Sequence, residues 1–288
     1  MPLFIDSTPP LYKSIFIINR GQFIMIIIIS YLFLGSIVGV LAGLLGIGGG
    51  LVIVPVLTFM FASQGIPHEH VLHLSLGTSL ATIVFTSFSS IRSHHKRGAV
   101  LWPIIIKITP GIIFGTFSGA WIAAHLSTNF LKIFFTIFLF YVGIQMLMGL
   151  KPKPSRDVPG SAGILGAGTV IGIFSSLVGI GGGTLSVTFL TWCNITMHKA
   201  IGTSAAIGFP IAVTGAAGYA LNGFSVAGLP GDAFGYIHLT ALAAIASASI
   251  LTAPLGARMA HSLPVDKLKK IFASLLILLA FRMGWSLF

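Results

Sequence analysis

Charge is what this chain of 288 residues has least of: 7% are Asp, Glu, Lys or Arg, against about 25% in an ordinary soluble domain. A solvated surface cannot be built from so few charges. With 55% hydrophobic residues and a mean hydropathy of +1.01, the chain reads as an all-α polytopic membrane protein. No polar stretch is long enough to form a separate soluble domain. Cysteine is nearly absent. Cys193 stands alone, which excludes an internal disulfide and any Cys-His metal-ligand spacing, and it reads as a small apolar residue in a packed helix. Acidic residues number five, Asp6, Glu69, Asp157, Asp232 and Asp266, all in expected loops or at span ends. Proton- and cation-coupled carriers usually keep a carboxylate within the membrane. Its absence argues against a cation substrate and against a buried carboxylate relay.

The basic residues point to the bilayer. In a soluble protein a net charge of +11 would suggest nucleic acid, but here most of it lies in short loops without interleaved aromatics. Such loops orient spans against an anionic leaflet. Lys13 and Arg20, the loop Arg92–Arg97, and Lys151, Lys153 and Arg156 fall on one side if each half crosses four times, so both termini are expected to be cytoplasmic. Arg258, Lys267, Lys269 and Lys270 oppose that orientation. The residues up to Arg20 are too mixed for a cleavable signal, and the run after Gln22 reads as a retained span. Lys107, Lys132 and Arg282 enter apolar territory, where snorkelling from a span end is expected. His94 and His95 are expected in a solvated loop, and His125 and His261 at the interface.

Glycine is abundant, and its placement organises the chain. Leu44-Leu45-Gly46-Ile47-Gly48-Gly49-Gly50 returns 133 residues later as Leu177-Val178-Gly179-Ile180-Gly181-Gly182-Gly183. Gly77-Thr78-Ser79 matches Gly202-Thr203-Ser204, Gly119-Ala120 matches Gly256-Ala257, and Lys132-Ile133-Phe134 matches Lys270-Ile271-Phe272, all in the same order. Apolar runs fall at about 22–45, 51–63, 71–91, 99–125 and 129–150, and again at about 161–178, 184–194, 200–221, 233–256 and 267–287. The second run of each set is too short for a comfortable crossing, which takes about 20 residues. The expected architecture is about eight transmembrane helices plus two short re-entrant or half helices, arranged as two homologous repeats. Residues 1–150 form the N-terminal repeat, 151–160 a basic, proline-containing linker, and 161–288 the C-terminal repeat.

Glycine clusters break helices, and inside a membrane a break is tolerated only where it is buried in protein or lines a wet cavity. Two matched breaks point to one site shared by both halves, the way secondary transporters place substrates. A helix starts after each cluster, at Leu51 and at Thr184, and its first four amides with the helix dipole favour an anion without any formal charge. The candidate substrate-binding residues are Gly46, Gly48, Gly49, Gly50, Gly179, Gly181, Gly182 and Gly183. Thr78, Ser79, Thr203 and Ser204 form a second set, whose hydroxyls can donate to an anion, cap a helix or bond back within their own helix. No metal and no cofactor is expected.

The stretch Gly46-Ile47-Gly48-Gly49-Gly50-Leu51-Val52-Ile53-Val54-Pro55-Val56-Leu57 resembles the glycine-rich signature of the sulfite exporter TauE/SafE family. The second glycine copy, Gly77-Thr78-Ser79, and the basic loop running into Arg97-Gly98-Ala99-Val100-Leu101-Trp102 reinforce the resemblance, which covers about residues 30–285. The second copy departs from the signature, with Thr188 where proline stands in the first. The resemblance implies an inner-membrane carrier for small sulfur-containing anions such as sulfite or sulfonates.

Three functions compete on the sequence. A secondary carrier would rock its two halves around the glycine breaks. An anion channel with paired re-entrant helices would use the same elements as a filter. An intramembrane enzyme would use Gly77-Thr78-Ser79-Leu80 as a nucleophile turn, but the duplicated motif has no duplicated histidine at fixed spacing, so no enzymatic activity is expected. The face Gly215-Ala216-Ala217-Gly218 suits close helix contacts, either within one protomer or in a homodimer.

Overall fold

The computed structural model describes residues 10–45, 49–149, 157–262 and 265–287. Among these the regular structure is helical: α1 (Pro10–Leu45), α2 (Gly50–Ser63), α3 (His68–His95), α4 (Trp102–His125), α5 (Thr128–Leu147), α6 (Ser161–Val178), α7 (Gly183–Trp192), α8 (Met197–Gly223), α9 (Leu239–Ser262) and α10 (Val265–Trp285). In lipid only helices and closed barrels satisfy every backbone group, and each apolar run has become a helix. Among the described residues seven helices are long and apolar enough to cross a membrane: the Gly21–Leu44 part of α1, α3, α4, α5, α6, α8 and the Leu239–Gly256 part of α9. α2 has 14 residues and α7 has 10. α1 begins at Pro10, well ahead of the run expected from residue 22: proline fits the first turn of a helix, and the single Gly21 costs about 1 kcal/mol without ending it.

The helices exchange partners between the two halves of the chain. α1 packs along α9 and α4 along α6, α3 lies against α8, and α5 against α10. Both long pairings rest on glycine. A methyl group on Gly35 of α1 would lie 2.5 Å from the Ile245 carbonyl oxygen of α9, and one on Gly168 of α6 would lie 2.6 Å from the Ile108 carbonyl oxygen of α4. Gly35 and Gly168 are 133 residues apart, and Ile245 and Ile108 are 137 apart. Gly256 against the Val40 carbonyl is matched in the same way by Gly119 against that of Ile173. Without side chains at these positions two backbones approach closely and gain dispersion over their whole length.

Burial sorts the helices by depth. The α3 span is 83% buried and the α1 span 28%, so α3 is central and α1 peripheral. Exposed Phe33, Phe88, Phe114 and Ile106 give the bundle an apolar exterior suited to acyl chains. Two local expectations fail. Lys132 does not snorkel: it is buried, and its Nζ donates to the Ser286 carbonyl at 2.9 Å, just past the end of α10. A carbonyl left over at a helix terminus attracts the ammonium more than the interface does. His94 is buried at the end of α3, because that helix runs four residues further than its apolar run. His95 is exposed and accepts from Trp102 Nε1 at 3.2 Å, and exposed His125 lies against Trp121. Gly215 faces Leu80, and Gly218 faces Ala120, within the same chain.

Candidate substrate site at the paired glycine breaks

Left-handed glycines set the ends of the helices at both breaks. Gly179 (φ 66°) closes α6, Gly182 (φ 67°) is the N-cap of α7, and Gly49 (φ 75°) is the N-cap of α2. An L side chain is strained in that region, which is why these positions are glycine. Gly46 and Gly48 lie outside the described residues. Of the remaining candidate glycines, Gly50 and Gly179 meet across the two breaks. A methyl on Gly50 would sit 2.5 Å from the Gly179 carbonyl oxygen, 3.0 Å from Ile180 Cα and 3.1 Å from Ile83 Cδ1. The start of α2 therefore touches the second glycine segment, with Ile83 of α3 beside both. Gly181 faces Ile83 and Gly208, and Gly179 faces Leu76 and Val54.

The four candidate hydroxyls are all fully buried, and each has a defined partner. Thr78 accepts the His238 N–H at 2.9 Å, and Thr203 accepts the Leu101 N–H at 3.0 Å. Each threonine thus satisfies a backbone donor at the start of the fourth helix of the opposite half, α9 or α4. The preceding glycine, Gly77 or Gly202, leaves room for the incoming carbonyl of Tyr236 or Ala99. Ser79 donates to the Gly179 carbonyl at 2.7 Å and Ser204 to the Gly183 carbonyl at 3.1 Å. The serines so fix the peptides on both sides of the second break.

Sequence reasoning passed over three further hydroxyls. Ser175, Thr184 and Ser186 are buried, and their oxygens make no hydrogen bond. Ser175 Oγ and Ser186 Oγ lie 3.2 and 3.4 Å from where a methyl on Gly182 would stand. Aligning the two glycine segments would have exposed them, because Ala42, Leu51 and Ile53 occupy the equivalent positions in the first half. Nearby, Ala42, Ile83, Thr86, Ser87, Ser90, Gly181, Ala205 and Gly208 enclose a cavity of about 10 Å³, room for roughly one water.

One titratable group borders this region outside the spans. His238 stacks on Phe61 at 4.9 Å, and its Nδ1 lies 3.1 Å from Asp232 Oδ2. Desolvation holds its imidazole below the ordinary value, opposed by the Asp232 carboxylate. Among the described residues no group of three or more His, Cys, Asp or Glu side chains is placed to hold a metal ion.

A family model described as sulfite exporter TauE/SafE matches residues 31–283. The chain belongs to the TauE/SafE family. A probable membrane transporter protein of Haemophilus influenzae is 35% identical over 258 residues, covering 89% of this chain and 97% of the relative. One of Methanocaldococcus jannaschii is 30% identical over 247 residues, covering 84% and 90%. No solved structure gives a significant match. TauE/SafE proteins are membrane transporters and not enzymes, and this chain, with its seven span-capable helices, is a multi-pass membrane transporter of that family. Ser79, the nucleophile of the enzymatic alternative, is accordingly engaged with a backbone carbonyl.

Proposed function

We propose that this transporter is a secondary carrier of the cell inner membrane for a small sulfur-containing oxyanion, such as sulfite or a sulfonate. The observation that carries the reading is the contact of Gly50 with Gly179 and Ile180, which brings the start of α2 to the second glycine break between the buried helices α3 and α8. Amides at such starts favour negative charge without a counter-cation, and the family's description names sulfite. Gly49, Gly50, Gly179, Gly181, Gly182 and Gly183 line the proposed site, with Thr78, Ser79, Thr203 and Ser204 in its walls.

The architecture we infer has eight crossings, α10 being the eighth, and two half helices. At about 1.5 Å per residue, α2 and α7 reach about 21 and 15 Å, short of a hydrocarbon core of about 30 Å. The matched contacts at constant offsets support two homologous repeats. Partner exchange supports a change in what moves. Rocking one half of the sequence against the other would shear the glycine contacts of α1 with α9 and of α4 with α6. The moving bodies we assign are mixed: α1, α2, α3 and α9 against α4, α6, α7 and α8, with the site on their seam. A cavity of about 10 Å³ is too small for an oxyanion, so the seam opens to admit one.

Reconstitution in liposomes with labelled sulfite, sulfate, thiosulfate and a short sulfonate tests this. Saturable uptake of at least one anion, abolished by Gly182→Leu, is expected. Flux that rises linearly with concentration would favour a channel. Folded protein that moves none of the four would refute the sulfur-anion reading.

A further inference from the structure

We propose that the two helix starts are unequal, and that the second holds the anion through a hydroxyl cradle of Ser175, Thr184 and Ser186. The inference rests on the carrier reading above and deepens it. Buried polar atoms almost always have a partner, and a hydroxyl without one in an apolar bundle is costly. Two such hydroxyls, on Ser175 and Ser186, face the same helix start, and a third, on Thr184, stands in the first turn of that helix. Ser175 and Ser186 are 0% exposed and Thr184 is 8% exposed. Ser175 comes from the last turn of α6, and Thr184 and Ser186 from the first turn of α7. The two serine oxygens face Gly182, the N-cap, with Ile211 Cδ1 of α8 closer to it than either, so the Ile211 side chain turns aside when the cradle fills.

The first half offers no equivalent. With the glycine segments in register, Ala42 stands where Ser175 does, Leu51 where Thr184 does and Ile53 where Ser186 does. A side chain on Gly49 would meet Val38, not a hydroxyl. Leu51 and Ile53 are themselves fully buried. One start is thus a polar cradle and the other an apolar wall.

The chemistry fits a group with three oxygens on one centre, such as sulfite or a sulfonate. Each hydroxyl supplies one rotatable donor, and the unpaired amides of the first turn of α7 add more. Hydrogen bonds to a charged acceptor are about twice as strong as neutral ones. Ser204, which holds the Gly183 carbonyl at 3.1 Å, is the positioning residue that fixes the first peptide of α7. A cradle of neutral donors without Lys or Arg binds an anion and still releases it, as turnover requires.

The test uses the full-length protein in detergent, titrated calorimetrically with sodium sulfite, sodium sulfate, sodium thiosulfate and sodium methanesulfonate, with melting temperatures taken in parallel. Ser175→Ala, Ser186→Ala and Thr184→Val are each expected to weaken binding of the preferred anion about tenfold or more. Their melting temperatures without anion should be unchanged or raised, since each loses a hydroxyl that bonds to nothing. Thr184→Ser, which keeps the donor, should retain affinity. Thr116→Val removes another buried, unpartnered hydroxyl on α4 and should leave affinity intact. Wild-type binding with unchanged affinity in all three variants would overturn the cradle and leave the carrier reading standing. A wild type that binds none of the four would overturn both.

Discussion

Replacing Gly50 by alanine tests whether the two glycine breaks are pressed together as described. The new methyl would arrive 2.5 Å from the Gly179 carbonyl oxygen and 3.0 Å from Ile180 Cα. Comfortable contact begins near 3.5 Å, so the segments must part by about 1 Å. Both neighbouring atoms are backbone, so no side chain can rotate away. Overpacking of this kind costs about 1–3 kcal/mol. The displaced carbonyl also carries the Ser79 hydroxyl at 2.7 Å, and a strained or broken hydrogen bond adds about 0.5–1.5 kcal/mol. The sum is about 1.5–4.5 kcal/mol, offset by less than about 1 kcal/mol from the helix propensity of alanine. Gly166→Ala is the matched control, because Gly166 also lies in a helix but has nothing within 4 Å of the added methyl. Thermal unfolding in detergent should show a clear loss for Gly50→Ala and none for Gly166→Ala, and uptake in liposomes should fall only in the former. Equal melting temperatures and equal uptake would refute the contact.

Other outcomes follow from single contacts. Thr203→Val and Thr78→Val each strand a backbone N–H at the start of the opposite half's fourth helix, at Leu101 or at His238. Each should destabilise by about 1–3 kcal/mol, and Thr203→Ser should restore most of it. Lys132→Met removes the donor to the Ser286 carbonyl and should cost about 1–3 kcal/mol in thermal unfolding; a snorkelling lysine would cost almost nothing. His238 is held below its ordinary value by desolvation, so the unfolded chain takes up its proton first as pH falls. Its contribution to stability is complete above about pH 6.5 and is lost as pH drops toward the lower folded value. Melting temperature should therefore fall on acidification, and His238→Gln should flatten part of that fall.

The spans were legible because hydropathy and glycine carry them directly: an apolar run interrupted by Gly-Ile-Gly-Gly-Gly leaves little choice but a break, and the short runs 51–63 and 184–194 became the short helices α2 and α7. Contact between the breaks was legible for the same reason, since duplicated breaks need a common shelter. The exchange of partners was hidden, because a repeat says which helices are alike and not which ones touch. Thr78 and Thr203 looked like ligand donors because a buried hydroxyl gives no sign of its partner, and here the partners lie 160 and 102 residues away. Ser175 and Ser186 were overlooked because lone serines in apolar helices commonly bond back to their own backbone. Only their apolar counterparts Ala42 and Ile53 mark them as different.

The partner exchange also sets the order in which the molecule can be assembled at the ribosome. α4 ends at His125 and needs α6, which begins at Ser161, so that pair is available early. α1 is finished at Leu45, yet its partner α9 starts only at Leu239. At about 5–20 residues per second the first helix waits roughly 10–40 s in lipid before the surface carrying Ile245 and Ala248 exists to receive Gly35. The peripheral, largely acyl-facing character of α1 makes that wait tolerable. α1 is made long before it can dock, and a chain truncated before α9 would leave it adrift in the bilayer with its glycine face open.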